Sequence, residues 1–247
     1  MKISIITVVF NGVATIKHCI ESVLSQDYDS IEYIIVDGNS KDGTKELIES
    51  YGNKIHTFLS EPDKGIYDAM NKGIELATGD VIGILNADDY YADEKVISDI
   101  AAVFQKNGAD GCYADLHYVD GQNESIIKRK WVSGAYNSNS FLMGWMPPHP
   151  TFFVKKEAYI KFGKFRLDMG SAADYELMLR LIFKNGIKLA YLPRVTVKMR
   201  TGGVSNSTLQ NRIEANKNDR RAWQLNEVRP WFFTLWLKPI RKIVQFI

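Results

Sequence analysis

The sequence has 247 residues, 45% of them hydrophobic, and its 31 basic and 29 acidic side chains leave a formal charge of +2. This hydrophobic fraction is enough to fill the core of one large α/β domain, with or without an appendage. The balanced charge provides no overall field that would attract nucleic acid, so we expect no nucleic-acid partner.

The first half of the chain alternates strand and helix patterns. Buried strands are predicted at 3–10, 31–36, 55–59 and 81–85, and apolar residues at helical spacing follow each of the first three. This alternation predicts an α/β fold with helices on both faces of a mostly parallel sheet, which binds ligands beyond the carboxyl ends of its strands. Polar clusters at residues 11, 37, 61–63 and 86–89 all fall at those ends.

The second half of the chain is less regular. A helix is predicted at 96–106, strands at 111–119, 126–131 and 151–154, and a ligand-facing loop at 131–150. A helix that contains Tyr175 and Ile182 precedes strands at 188–192 and 195–199, and a polar helix follows from Thr208.

The cellular compartment is predicted from what the sequence lacks. The two cysteines, Cys19 and Cys112, have no second Cys or His at metal-ligand spacing. The N-terminus lacks the apolar stretch and cleavage site of a signal peptide, and no window reaches the roughly 20 apolar residues that span a bilayer. We therefore expect a cytoplasmic protein that is not integral to the membrane.

An apolar strand that ends in adjacent carboxylates occupies residues 83–89. Hard divalent cations such as Mg²⁺ and Mn²⁺ take one or two carboxylates together with substrate phosphates, and Asp88 and Asp89 offer that arrangement. The alternative is structural, because Asp88 could cap a helix that begins near Asp93 or simply make a turn.

A second polar turn, residues 37–44, follows the second strand. The carboxylate of Asp37 can accept a hydrogen bond from a nucleobase N–H or a ribose hydroxyl, whereas Asp42-Gly43-Thr44 is typical of a helix start. An ordinary turn between a strand and a helix explains the same residues equally well.

Four segments, taken in order and spacing, resemble the large glycosyltransferase family two with its GT-A fold. They run from Ser4 to Asn11, from Val36 to Thr44, from Ala77 to Asp80 and from Leu85 to Asp89, and the match is close over residues 1 to about 95. The family transfers a sugar from a nucleotide diphosphate to an acceptor with inversion at the anomeric carbon. The resemblance implies a GT-A type, Rossmann-like mixed sheet, a UDP-sugar as the favoured donor, and Mn²⁺ or Mg²⁺ as cofactor.

The resemblance also assigns nucleotide contacts in the first two segments. Val9 and Asn11 would line the nucleotide pocket, and Asp37 would hold the base. Residues 61–73 resemble a subgroup that assembles bacterial surface polysaccharide, although Met70 takes the place of an Arg that many relatives carry. In that segment the donor contacts would be Asp63, Asp68 and Lys72, whereas an amphipathic helix with a solvated polar face is the structural alternative.

The last of the four segments carries the family's Asp-x-Asp positions, which Asn86 and Asp88 would occupy. By resemblance Asp88 binds the metal, and Asn86 and Ala87 contact the nucleotide sugar. Asn86 departs from the usual leading Asp, and this weakens the case for two metal carboxylates within the triplet.

An inverting transfer needs a base that takes the proton of the attacking acceptor hydroxyl. Residues 170–180 resemble the acidic pair that precedes a helix in the family, with Asp174 on the base position and Ala173 in place of the preceding acid. Glu176 is the second candidate. Ser171 and Asp174 also fit a capping box, which would make the carboxylate structural.

Two further segments carry candidate contacts. His149 lies in a Pro-rich turn, where it could bind acceptor or phosphate or be purely structural. Arg200 precedes a Gly-rich stretch that ends at Ser205, which is typical of a loop that closes over a diphosphate, since Arg binds phosphate through its bidentate fork. Arg200 is predicted to bind the donor, and Ser205 and Asp89 are further candidates for contact with acceptor or phosphate.

The domain prediction is a transferase domain over 1–205, with a nucleotide-sugar half at 1–95 and an acceptor half at 96–205, and a helical tail at 206–247. The tail has no acidic residue after Glu227 and mixes Arg and Lys with Trp and Phe. This composition is typical of a peripheral segment at the anionic inner face of the plasma membrane, where a lipid-linked glycan acceptor would lie. Burial against the domain or against a partner in a homo-oligomer is the alternative for 229–247.

Three other functions require different sequence features. A sugar-nucleotide pyrophosphorylase should carry a Gly-rich phosphate loop and basic residues after its first strand, which residues 11–14 lack. A Rossmann dehydrogenase needs Gly-x-Gly-x-x-Gly, which is absent. A non-catalytic membrane-surface scaffold stays open because Asn86 and Ala173 replace two acidic residues of the family.

Overall fold

The computed structural model describes residues 1–201, 209–243 and 245. The strands are β1 (Ile3–Val9), β2 (Ile31–Asp37), β3 (Thr57–Ser60), β4 (Val81–Asn86), β5 (Asp89–Tyr91), β6 (Gly111–Val119), β7 (Ile127–Trp131), β8 (Phe153–Lys155) and β9 (Leu189–Arg200). The helices are α1 (Ile16–Leu24), α2 (Thr44–Glu49), α3 (Ile66–Leu76), α4 (Val96–Asn107), α5 (Lys156–Phe162), α6 (Ala173–Met178), α7 (Leu209–Leu225) and α8 (Thr234–Ile243).

These strands form one mixed sheet in the order β3-β2-β1-β4-β8-β6-β9-β5, and β7 pairs with β6. The first four strands run parallel, as do β6 and β9, whereas β5, β7 and β8 pair antiparallel with their neighbours. The predicted fold class, a mixed and mostly parallel sheet flanked by helices, is confirmed.

The central strands are buried on both faces. Ile6 and Ile34 belong to a hydrophobic cluster shared with α3, α6 and the C-terminal helices, whereas Ile5 and Ile35 belong to a second cluster with α1 and α4. Helices on both faces explain why β1 and β4 are buried at every position and do not alternate between apolar and polar residues. Gly73 lets α3 approach the sheet, because a Cβ there would clash with the side chain of Ile6.

Most predicted bounds agree with the structure to within two residues, but three local predictions need correction. The strands predicted at 188–192 and 195–199 form the single strand β9, whose register against β6 shifts on both sides of Asp115. Strand β5 and helix α5 were not predicted, since β5 has only three residues and α5 follows β8 without a loop. The helix predicted around 175–182 begins at Ala173 and continues after Met178 as a π-helical turn.

Of the two structural explanations for Asp88, its position between β4 and β5 excludes the helix cap and agrees with the simple turn. Because β5 begins at Asp89 and α4 does not begin before Val96, Asp88 lies between two strands and caps no helix. The C-terminal tail forms α7 and α8, and within the described residues no helix has the length and apolarity needed to cross a membrane.

Candidate active site

The carboxyl ends of three neighbouring strands bring the candidate donor residues to one edge of the sheet. In the parallel register Val9 lies opposite Asp37, and Val8 lies opposite Asn86. Parallel strands of an open α/β sheet bind ligands at this edge, so the structure places these positions where the sequence predicted a site.

Asp37 is fully buried and supports the loop that follows β1. Its carboxylate accepts hydrogen bonds from the backbone N–H of Ser40, at 3.0 Å, and from the hydroxyl of Ser60, at 2.6 Å. The hydroxyl of Ser40 in turn accepts the backbone N–H of Asn11, at 2.7 Å. Protein groups are therefore its partners here, and the contact between Asp37 and a base stays a prediction.

Asn11 adopts a left-handed backbone conformation, with φ of 50°, which Asn tolerates better than most residues. Its side-chain oxygen accepts the backbone N–H of Lys41, at 2.9 Å. The loop after β1 is thus tied to the loop after β2, and it leaves the neighbouring Phe10 65% exposed.

Phe10, which the sequence pattern assigned only to the end of a strand, lies exposed beside the candidate donor residues. A Cβ placed on Gly38 would lie 2.5 Å from the Asp63 carboxylate and 3.3 Å from the Phe10 ring. Asp63 and Phe10 therefore both adjoin Gly38 and form one small surface. An exposed aromatic face beside a carboxylate offers stacking and hydrogen-bond acceptance to a planar base.

The predicted donor contacts on α3, Asp68 and Lys72, bond to the loop that precedes this helix. Lys72 Nζ lies 2.8 Å from Glu61 Oε1 and donates to the carbonyl of Pro62, at 2.9 Å, and the hydrogen bond with Glu61 raises the pKa of Lys72. The carboxylate of Asp68 accepts the backbone N–H of Lys64, at 3.0 Å. Donor contact by Asp68 and Lys72 stays a prediction, since both have structural partners.

The residues around Asp88 include two buried oxygen atoms without a partner. Within the described residues, Asn86 Oδ1 and Asp89 Oδ1 accept no hydrogen bond, although the other oxygen of Asp89 lies 3.3 Å from Asn86 Nδ2. The carboxylate of Asp88, which is partly exposed, has no hydrogen bond or ion pair within the same part of the chain. Buried oxygen atoms without donors are unfavourable unless a cation or another donor approaches them.

The surroundings of Asp89 disfavour its ionised form. Its side chain is completely buried, and burial together with the neighbouring charge of Asp88 raises the pKa of Asp89 well above its usual value. A divalent cation held by Asp88 would compensate both carboxylates, and hard cations prefer such oxygen ligands. No group of three or more His, Cys, Asp or Glu side chains at metal-binding distance occurs in the described residues. A cation would therefore depend on substrate oxygens as well.

Asp174 lies in the first turn of α6. The residue that caps this helix is Ala172, and no side chain caps it, so the capping box predicted from Ser171 and Asp174 is not formed. One oxygen of Asp174 accepts the backbone N–H of Tyr175, at 2.7 Å. The structural alternative for Asp174 is therefore limited to this local bond and to the favourable electrostatics of a helix N-terminus.

Asp174 and the Asp88 turn belong to one electrostatic neighbourhood. His149, in a 3-10 turn, has Nε2 3.5 Å from Asn86 Nδ2, and burial lowers the pKa of His149 while the charge of Asp174 partly opposes this. Burial raises the pKa of Tyr118, and the charges of both Asp89 and Asp174 add to that increase. The predicted metal site and the predicted base therefore lie close enough to act on the same groups.

The second candidate base, Glu176, lies on the inner side of α6. Its carboxylate is buried, forms an ion pair with Arg180, at 2.9 Å, and accepts a hydrogen bond from Asn226, at 3.1 Å. Tyr67, in contrast, lies near Asp174, because burial and the charge of Asp174 raise the pKa of Tyr67. Of the two carboxylates, Asp174 is thus the more exposed, and its charge acts on Tyr67 and Tyr118, which only the folded chain brings near it.

Arg200 has partners other than those predicted. Its guanidinium donates to the carbonyl of Asp88, at 2.7 Å, and to Glu124, at 2.8 Å, and it lies 2.7 Å from His18 Nδ1. Its carbon atom Cζ is also 4.8 Å from the centre of the Tyr90 ring. Arg200 therefore supports the turn that carries Asp88, and a direct contact with phosphate stays a prediction. Ser205 lies outside the described residues.

Comparisons with known proteins identify the family of the chain. The family described as Glycosyl transferase family 2 matches residues 4–167, which are more than half of the chain. An uncharacterized glycosyltransferase of Mycobacterium tuberculosis is 31% identical over 180 residues, covering 72% of this chain and 68% of that protein. A PGL/p-HBAD biosynthesis glycosyltransferase of Mycobacterium bovis is 27% identical over 208 residues, covering 83% and 79% respectively.

Two kinds of solved structure share the fold. S. aureus TarS 1-349 in complex with UDP-GlcNAc aligns with a TM-score of 0.71 and 18% identity, over 92% of this chain and 65% of that one. The mannosyltransferase PcManGT from Pyrobaculum calidifontis, in complex with GDP-Man and Mn²⁺, aligns with a TM-score of 0.65 and 16% identity, over 96% of this chain and 72% of that one. The chain spans less than two thirds of the TarS chain, and at these identities the similarity concerns the fold.

Proposed function

Because the chain belongs to glycosyl transferase family 2, we propose that it transfers a sugar from a nucleotide diphosphate to an acceptor hydroxyl with inversion at the anomeric carbon. The observation that carries this proposal is that His149 lies 3.5 Å from Asn86 in the Asp88 turn while the charge of Asp174 acts on the pKa of the same His149. The Asp88 turn suits a diphosphate with its cation, and Asp174 suits a base.

The donor is a UDP-sugar in this proposal. The base would stack on the exposed ring of Phe10, next to Asp63, and the diphosphate would extend from Val9 and Asn11 towards the turn at Asn86, Ala87 and Asp88. The solved structure of TarS with UDP-GlcNAc, which shares this fold, supports a nucleotide sugar as donor.

A divalent cation, Mn²⁺ or Mg²⁺, would be held by Asp88 together with oxygen atoms of the diphosphate. When bound, the cation supplies a Lewis acid that neutralises the charge of the departing nucleoside diphosphate. The unpartnered oxygens of Asn86 and Asp89 fit this proposal, because they provide further negative potential beside Asp88. A fold neighbour that was solved with GDP-Man and Mn²⁺ supports the choice of metal.

Asp174 acts as the base in this scheme. The acceptor hydroxyl attacks the anomeric carbon as the bond to the diphosphate breaks, and its proton passes to the oxygen of Asp174 that does not accept the Tyr175 N–H. A positioned base of this kind contributes a rate factor of about 10² to 10⁴.

The acceptor class in this proposal is a lipid-linked glycan of bacterial polysaccharide or glycolipid synthesis, at the cytoplasmic face of the membrane. The mycobacterial relative named for PGL/p-HBAD biosynthesis supports this acceptor class. Two buried free cysteines, Cys19 and Cys112, suit a reducing compartment.

A donor screen tests the proposal. The purified chain is incubated with UDP-, GDP- and dTDP-sugars, with Mn²⁺ or with a chelator, and release of nucleoside diphosphate is measured. We expect release from a UDP-sugar only when Mn²⁺ or Mg²⁺ is present, and an inverted anomeric configuration in the product by NMR. Neither release nor metal-dependent binding of any nucleoside diphosphate would favour the membrane-surface scaffold instead.

A further inference from the structure

Helices α7 and α8 are fixed to the rest of the protein along their inner side. Trp223 is buried, and its indole N–H donates to the hydroxyl of Tyr175, at 2.9 Å. Leu235 is buried in the same hydrophobic cluster, and the hydroxyl of Thr234 donates to the carbonyl of Leu142, at 2.6 Å. Lys238 forms an ion pair with Asp219, at 2.7 Å. The outer side of these helices is therefore held in a defined orientation.

That outer side exposes large apolar side chains close together in the chain. Phe232 is 92% exposed, Trp236 is 72% exposed and Ile240 is 54% exposed. Trp236 and Ile240 lie four residues apart on α8 and so project from one side of the helix, and Phe232 lies in the turn just before it. A single exposed apolar residue is ordinary, but a series of them that includes Trp and Phe marks an interaction surface.

Three exposed arginines belong to the same two helices and the turn between them. Arg220, Arg229 and Arg241 are exposed, and none of them has a hydrogen bond or ion pair within the described residues. The nearby acids are already engaged, since Asp219 pairs with Lys238 and Glu227 lies 3.7 Å from Lys184. The surface therefore combines exposed apolar side chains with an excess of positive charge.

A groove of about 710 Å³ lies between the end of α7 and the start of α8. Arg220 and Arg229 line it together with Trp231, Phe232 and Leu235. Glu227, whose carboxylate lies 3.7 Å from Lys184, also lines it, so the two guanidinium groups outnumber the carboxylate. Guanidinium groups bind phosphate oxygens in bidentate pairs, and aromatic rings suit the boundary between headgroups and acyl chains. The groove thus combines the two contacts that a phospholipid headgroup requires.

We propose that this surface, formed by Phe232, Trp236, Ile240 and the arginine-lined groove, binds an anionic lipid bilayer. An amphipathic helix with aromatic residues on one face and basic residues beside them binds membranes in this way. A two-fold dimer through the same surface would bring like patches together and so place the arginines of two copies near each other, which disfavours self-association. This inference is independent of the donor, metal and base proposed above.

Vesicle flotation of the full chain tests the inference. Vesicles of phosphatidylcholine alone are compared with vesicles that contain about one quarter phosphatidylglycerol. One variant combines Phe232→Ser with Trp236→Ser, and another combines Arg220→Gln with Arg229→Gln. Matched controls are Ile160→Ser, which removes an apolar side chain that is 73% exposed on α5, and Lys17→Gln, which removes an exposed charge on α1.

We expect the wild-type chain and both controls to bind the anionic vesicles and not the neutral ones. Each lost arginine should weaken binding about fivefold, and the aromatic pair should weaken it about tenfold or more. Release of nucleoside diphosphate from a sugar nucleotide in detergent-free buffer should be unchanged in every variant, which separates this inference from the proposed reaction. Wild-type chain that fails to float with the anionic vesicles would overturn the inference, and so would equal losses of flotation in the variants and the controls. A wild-type dimer, detected by light scattering, that a variant loses while its flotation stays unchanged would also overturn it.

Discussion

Asp89 is a carboxylic acid that the fold surrounds with protein on every side. Burial and the charge of Asp88 raise its pKa, and one of its oxygens has no partner within the described residues. Folded protein therefore holds the proton of Asp89 more tightly than unfolded protein does. As the pH rises above the pKa of the unfolded state, the free energy of unfolding should fall until the folded state also loses the proton.

Asp89→Asn should therefore raise the Tm at pH 7 in the absence of divalent cations. The amide keeps the shape of the side chain, and its burial does not require the uptake of a proton that the unfolded chain has lost at pH 7. Mn²⁺ should raise the Tm of the wild-type chain more than that of the variant, because the cation compensates a charge that the variant lacks. Asp120→Asn, at a partly exposed carboxylate that backbone N–H groups and Lys128 already stabilise, serves as the control and should not raise the Tm. An unchanged or lower Tm of Asp89→Asn without metal would contradict this explanation.

Asp174→Asn should lower the turnover number by a factor of about 10² to 10⁴, because an amide cannot take the acceptor proton. The KM for the donor should change little, since Asp174 makes no proposed contact with the nucleotide. Steady-state release of nucleoside diphosphate in the presence of acceptor measures both constants. Glu157→Gln, at an exposed carboxylate in the first turn of α5, is the matched control. Wild-type turnover in Asp174→Asn would exclude it as the base.

Among the elements, β1 and β2 are joined by a buried carboxylate at the end opposite the candidate site. Glu32 accepts hydrogen bonds from the Ser4 hydroxyl, at 2.5 Å, from Lys2 Nζ, at 2.7 Å, and from both the N–H and the hydroxyl of Thr78, at 2.7 and 2.5 Å. Although burial opposes the charged form, these hydrogen bonds lower the pKa of Glu32 from 4.5 to about 2.

The stability that Glu32 contributes should depend on pH. A lowered pKa stabilises the fold above the unfolded value of 4.5, and this stabilisation is lost as the pH falls from there to about 2. Glu32→Gln should cost about 2–3 kcal/mol at pH 7 and much less near pH 2, as measured by urea unfolding at both values. Asp29→Asn, at an exposed position before β2, is the control. An equal loss at both pH values would show that packing rather than charge sets the effect.

The sequence predicted the regular elements well where a hydrophobic period was long enough to be read. Strand β6 matches its predicted bounds, and β1, β2 and β4 differ by one residue, because a strand buried on both faces is a continuous apolar run. Strand β5 has three residues and depends on pairing with β9, so no local sequence pattern predicts it. The pairing of β8 between β4 and β6 also joins residues that are far apart in the chain, and no local rule predicts it.

The sequence predicted those candidate residues whose position depends only on the end of a strand. Asp88 follows an apolar strand directly, and its position could be derived from that pattern and from the family resemblance. The surroundings of Asp174 could not, since His149, Tyr67 and Tyr118 come from three separate segments. The inward direction of Glu176 and the engagement of Arg200 with Glu124 depend equally on tertiary contacts.

In the whole molecule the C-terminal helices α7 and α8 share a hydrophobic core with the preceding part of the chain. Trp223 and Leu235 belong to the hydrophobic cluster that contains Ile6 and Tyr175. Arg221 forms an ion pair with Asp168, in the 3-10 helix before α6, at 2.6 Å. The predicted domain boundary at residue 205 stays a prediction, but the helices beyond it stabilise the segment that carries Asp174.

Trp223→Ala should destabilise the protein by about 3–5 kcal/mol, because it removes a large buried side chain and the hydrogen bond to Tyr175. Trp236→Ala, which removes the same side chain from an exposed position on α8, should change the free energy of unfolding by less than about 0.5 kcal/mol. Urea unfolding of the two variants makes the comparison. Similar losses would mean that α7 is not part of the cooperative core.

The arrangement of strands, turn and helix leads to one claim above all, that the turn at Asp88 binds the donor diphosphate through a divalent cation. Titration calorimetry of UDP into the purified chain, with Mn²⁺ or with a chelator, tests it most directly in the wild type and in Asp88→Asn, which keeps the backbone carbonyl that Arg200 holds. We predict binding that requires Mn²⁺ and that Asp88→Asn weakens at least about tenfold. Equal affinity of both proteins for UDP, with and without Mn²⁺, would contradict the claim.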